Sequence, residues 1–121
     1  MTGGFGKLSL VLGLGALLAV SACGRYAVRS NDPVFDGQRF GAAVKSASRR
    51  DRANFTVTVR DVAKSLDGAR EAARYEAAKH CLRFFGTSEA DWIDDPDAPA
   101  DALRLENGSL VLSGVCRDQA G

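Results

Sequence analysis

The sequence predicts an α+β domain: a small antiparallel sheet of four to five strands with one helix packed on one face, in the order β-β-β-α-β-β. Three observations carry that prediction. Residues 54–60, "NFTVTVR", alternate apolar and polar side chains, the period of a half-buried strand. Residues 67–85 form an alanine-rich run with helical period. Two pairs, Asp36-Gly37 and Asn107-Gly108, sit between apolar residues, where type I′ turns need positive φ at both central positions.

In chain order, residues 24–33, "GRYAVRSNDP", are polar and end on a turn signal, so they read as a tether. "VF" before Asp36-Gly37 makes a short first strand. After the turn, Phe40, Ala42 and Val44 alternate with Gly41, Ala43 and Lys45, a second strand with one inward face. "SASRRDR" is a charged loop, and the third strand, with Phe55, Val57 and Val59 inward, comes after it.

The helix is expected over roughly residues 67–85. Asp67 is suited to cap its start, Glu71 to its positive end, and Gly86 to its exit. Leu66, Ala69, Ala73, Ala77, Cys81 and Phe84 fall on one face at 100° per residue, so Cys81 should point at the sheet. Trp92-Ile93 is expected to pack back on the domain, and Asp94–Asp101 to be a solvated acidic loop. A second hairpin turns at Asn107-Gly108, with Leu103/Leu105 facing Leu110/Leu112, and its last strand ends at Cys116.

Residues 1–22 carry one charge, Lys7, followed by an uncharged apolar run from Leu8 to Ala22. A basic start, a short apolar stretch and small residues at its end read as an export signal. The run is short for a membrane span, which needs roughly 20 apolar residues. "GGFGK" and "GLG" brush against nucleotide-binding patterns. Both lie inside this segment, with no strand before them or soluble helix after, and carry no weight.

Val20-Ser21-Ala22-Cys23 resembles the lipobox of bacterial lipoproteins. The resemblance implies a diacylglyceryl thioether on Cys23, cleavage before it and an acylated new terminus. Two or three acyl chains anchor stably where one would not. Gly24 after the cysteine, by the same resemblance, favours the outer membrane over inner-membrane retention, with the domain facing the periplasm. The organisation is then a lipoprotein signal peptide at 1–22, a lipidated Cys23 with tether at 23–33, and one domain at 34–121.

The mature 99 residues suffice for a single modest core, and a covalent staple would help it. With Lys7 removed, 15 basic residues balance 15 acidic ones, which with export argues against nucleic acid as a partner. The balance is uneven along the chain. Arg25 to Arg83 holds 13 basic and 7 acidic residues; Phe84 to Gly121 holds 2 and 8. Either the halves neutralise each other in the fold, or the surface is bipolar and orients a partner.

In an oxidising compartment the remaining cysteines, Cys81 and Cys116, read as one disulfide. It is worth on the order of 3–4 kcal/mol in the chain-entropy model, and its Cα atoms should stand roughly 4.4–6.8 Å apart. His80 is the sole histidine and there is no C-x-x-C, so no metal site and no cofactor are expected.

"FDG", "FTVTV", "LDGAREAARYEAAKHC", "FGTS", the Trp92 region and "LVLSGVC" together resemble small uncharacterised lipoproteins of alphaproteobacteria, over roughly residues 34–116. The resemblance supports the address and the cysteine pair and implies no reaction. His80 stands where an aromatic residue such as Tyr is expected.

No enzyme signature is found. His80 reads as a partly buried packing residue rather than a general base. Arg70 and Arg74, at i and i+4 beside the apolar stripe, are either ion-paired to Glu71 or to an acid of the C-terminal half, or form a site for a carboxylate or sugar acid. "RRDR" at 49–52 is either a solvated hairpin tip or a contact for lipid phosphates or an acidic partner. The leading expectation is a lipid-anchored interaction module of the envelope, palmitate-bearing and membrane-bound, with an envelope protein as candidate partner. The alternative is a small-ligand binder or sensor using Arg70/Arg74.

Overall fold

The computed structural model describes Val28 and residues 32–118. The expected signal peptide, Cys23 and the tether up to Asn31, Val28 excepted, lie outside the described residues. The domain is an open five-stranded antiparallel sheet with one helix on one face. β1 is Ala42–Ser46, β2 Asn54–Val59, α1 Leu66–Phe85, β3 Ala90–Trp92, β4 Leu105–Glu106 and β5 Ser109–Cys116. The strands lie in the order β1-β2-β5-β3, and β4 also pairs with β5.

The architecture is the expected one, but two elements change places. The short strand at Val34-Phe35 is a single bridge, Phe35 to Gln38, around a tight turn. Asp36 and Gly37 do take the positive φ of that turn, 51° and 72°. Pro33 precedes it, and the run after the turn, β1, pairs with β2 instead, so the bridge does not extend into a ladder. The fifth strand is instead Ala90–Trp92, antiparallel to the end of β5, with Asp91 opposite Val115. The observed order is therefore β-β-α-β-β-β.

The turn has a different use. It docks on the start of the helix, where Phe35 O would lie 2.7 Å from a Cβ at Gly68. Only glycine permits that approach. Ser65, not Asp67, is the N-cap: its Oγ accepts from Gly68 N–H at 2.9 Å and donates to Asp36 at 2.5 Å. Asp67 sits in the first turn, where its charge still favours the dipole. Gly86, at φ 71°, closes the helix.

The alternation in β2 buries Phe55, Val57 and Val59 against the helix, opposite Gly114, Leu112 and Leu110 of β5. Small residues on the helix, Ala69, Ala72, Ala73 and Ala77, let it lie close on that surface. Cys81 is fully buried and disulfide-bonded to Cys116, with Cα atoms 5.4 Å apart. The second hairpin forms as expected, Leu105 opposite Leu110, with Asn107 and Gly108 at φ 50° and 77°.

The acidic connection is not a free loop. Asp94 accepts from the Ser113 N–H at 2.8 Å, Pro96 is buried, and Asp97 pairs with Arg74 on the helix. Trp92 packs on Phe55 as expected, edge to face at 5.5 Å, whereas Ile93 is 68 % exposed. No described helix is long and apolar enough to cross a membrane.

Candidate functional site

Phe84 is expected on the buried face with the alanines, but Phe85 is the residue that packs against the core beside Cys81 and Cys116, and Phe84 is 37 % exposed. It meets the β1–β2 hairpin tip instead. The Arg52 guanidinium stacks over its ring at 4.7 Å, and that of Arg83 at 5.1 Å. His80 lies edge-on to Phe84 at 5.0 Å and also touches Phe55 at 5.6 Å.

His80 ties the tip to the helix. Its Nε2 lies 2.8 Å from the Arg52 carbonyl oxygen. A carbonyl only accepts, so Nε2 carries the proton and donates, leaving Nδ1 as an acceptor when the ring is neutral. The hairpin is also held internally. Asp51 accepts from both the backbone N–H and the side-chain amide of Asn54, at 3.2 and 2.8 Å. That carboxylate serves the loop rather than a neighbouring arginine.

Between tip and helix lies an open cavity of about 470 Å³, lined by Lys45, Arg49, Arg52, His80, Arg83 and Phe84 among others. Its lining contains no carboxylate. A smaller recess of about 300 Å³ adjoins it across Arg83 and Phe84; there Glu76 is paired with Lys79 at 3.3 Å. Among the described residues, Lys45, Arg49, Arg50, Arg52 and Arg83 form no ion pair. The charge polarity read along the chain is therefore a polarity in space. The β1 edge is basic, and the β3–β4 edge carries Glu89, Asp91 and Glu106.

The arginine pair singled out from sequence is less open. Arg74 is engaged by Asp97, as one of the alternatives for the pair required. Arg70 has its Nε buried without a hydrogen-bond partner among the described residues. Arg74 lines a recess of about 400 Å³ with Glu89, Trp92 and Arg117; Arg70 does not contribute to it. Among the described residues no group of three or more His, Cys, Asp or Glu could hold a metal ion.

Three members of the basic cavity were readable from spacing. His80, Arg83 and Phe84 stand at i, i+3 and i+4, so they share one side of the helix. What spacing does not give is that Phe85 takes the buried position, which leaves Phe84 to meet the hairpin tip. Searched against protein-family models, curated proteins and solved structures, the chain matches none.

Proposed function

We propose that this chain is a lipid-anchored, periplasm-facing envelope lipoprotein, an interaction module that presents its basic edge to an anionic partner. The observation that carries this reading is the cluster of cations at the hairpin tip with no acidic partner. Like charges held together without compensation repel one another and add nothing to folding. A fold that pairs Arg74, Arg104 and Arg117 with carboxylates and leaves this cluster without one is arranged to meet something negative. The lipobox at Cys23 supplies the address. From Cys23 to Asp32 the chain can reach at most about 30 Å, so an acylated Cys23 would keep the domain close to the bilayer. Gly24 after Cys23, by resemblance to lipoproteins in which an Asp there favours inner-membrane retention, favours the outer membrane. The use of Arg70 and Arg74 as a sugar-acid site is a second reading. It finds Arg74 already engaged, so the basic edge takes precedence.

Two measurements test the proposal. Wild type should incorporate labelled palmitate, and Cys23→Ser should not; label in the variant would defeat the anchor. A photo-crosslinking residue at Ala47, on the hairpin tip, should give discrete adducts in intact membranes, while one at Asp101 should not. Adducts from Asp101 alone, or from neither site, would defeat the basic edge as the contact surface.

A further inference from the structure

We infer that the cavity between the hairpin tip and the helix end is a site for a phosphate-class oxyanion, gripped chiefly by Arg52 and Arg83. The inference rests on reading the basic edge as a contact surface, and it names the chemistry of what that surface takes.

Two guanidiniums, those of Arg52 and Arg83, stack on Phe84. Cation–π stacking uses the face of a guanidinium and leaves its in-plane N–H donors free. Placement over the ring restrains each guanidinium without consuming its donors. Neither side chain donates a hydrogen bond to any described residue, and neither is ion-paired. Arg52 is fixed a second time through its own carbonyl, which holds His80. An arginine restrained at both backbone and side chain loses little freedom when it binds, which is what preorganisation requires.

Charge count selects phosphate over carboxylate. One carboxylate carries a single charge and is satisfied by one bidentate arginine. Here Lys45 and Arg49 join Arg52 and Arg83 around the same cavity, with no acid in its lining. A phosphomonoester carries about −1.5 to −2 and offers three acceptor oxygens, so it can use several cations at once. Ser46 and Ser48 also line the cavity and can add hydroxyl donors. At about 470 Å³ the space exceeds a lone phosphate, leaving room for the group that bears it. A soluble phosphomonoester and a monoester lipid headgroup both present this phosphate, and the gripping chemistry is shared.

The test uses the full chain extracted in a neutral detergent, with pyrophosphate as the probe against sodium chloride at matched ionic strength. At ten times the dissociation constant, pyrophosphate should raise the melting temperature by about 7 °C. Arg52→Gln/Arg83→Gln should abolish the rise, and Arg74→Gln, altering an arginine already paired, should keep it. A rise unchanged in the double variant overturns the site. A rise with polyglutamate but none with pyrophosphate overturns phosphate while leaving the basic edge as a contact surface; response to neither overturns both. The source is read separately, with a fluorophore at Ala47 and spin-labelled vesicles. Quenching in phosphatidic acid but not phosphatidylcholine vesicles supports a headgroup. A pyrophosphate-dependent rise with no quenching in either supports a soluble phosphate.

Discussion

The two edges of the sheet treat arginine in opposite ways. At the β3–β4 edge every described arginine has a carboxylate: Arg117 holds Glu89 and Asp91, Arg104 holds Glu106, and Arg74 reaches across from the helix to Asp97. At the β1 edge, Lys45, Arg49 and Arg52 have none, and the local Asp51 is occupied by Asn54. Both edges hang from the same core, so the difference is not one of burial. It teaches that pairing here is a local matter along the acidic segment, and that the excess of basic residues in the first part of the chain is left on display.

The largest expected effect comes from the point where the two edges join. The Cys116 N–H donates to Ala53 O in the basic hairpin at 2.9 Å, Cys116 stands opposite Ala90 in β3, and its sulfur holds Cys81. Removing the bridge by Cys81→Ala/Cys116→Ala should cost on the order of 3 kcal/mol and lower the melting temperature by more than about 10 °C. Hydrogen exchange should then rise at the amides of residues 116 and 117, which donate to Ala53 on the basic side and Glu89 on the acidic side. An unchanged melt would mean that the bridge does not hold the edges together.

The next effect is Gly114→Ala. An added Cβ would lie 2.8 Å from Phe55 Cζ and 3.2 Å from Asp91 O. Phe55 touches Trp92 on the acidic side and His80 on the basic side, so displacement of its ring should be felt at both. Overpacking of this kind costs about 1–3 kcal/mol. A chemical denaturation midpoint equal to wild type would show that the Phe55 ring yields freely.

This contact also marks where sequence reading stops. β2 and the helix were legible because each buries one face with its own period, and the second hairpin and the first turn because positive φ selects their Asx-Gly pairs. β3 was not, because three residues in an acidic, proline-containing stretch show no period. They become a strand only because β5 offers them an edge. Likewise Asp94 and Asp97 read as solvated, since nothing local reveals the Ser113 N–H or Arg74. The basic tip was legible as charge, and Phe84 as apolar; that they meet depends on Phe85 taking the buried place expected for Phe84.

Smaller effects separate the edges directly. Arg74→Gln breaks a pair whose members are both exposed, so it should cost no more than about 0.2–1 kcal/mol, and less at high salt. Arg49→Gln removes a charge without a partner and should leave stability within about 0.5 kcal/mol, shifted if at all toward greater stability by relief of repulsion. If Arg49→Gln destabilised the domain as much as Arg74→Gln, the tip would contain a pairing that contradicts the contrast.

The smallest effect is a titration at the acidic edge. Arg117 donates through Nη2 and Nε to one Asp91 oxygen, at 2.8 and 3.0 Å. This hydrogen bonding, with the attraction of the guanidinium behind it, holds the Asp91 carboxyl below its usual range, and the same contacts with Asp91 and Glu89 raise Arg117. A depressed carboxylate contributes stability that is present above its unfolded-state pKa, about 3.9, and is lost as pH falls through the lower folded value. Asp91 is exposed, so the contribution is small and screened. In Arg117→Gln, the Asp91 side-chain carboxyl signal, followed by NMR, should titrate at higher pH than in wild type. Equal titration in both proteins would show that the Arg117 contact does not persist in solution. In that event the acidic edge would pair its arginine no better than the basic edge does.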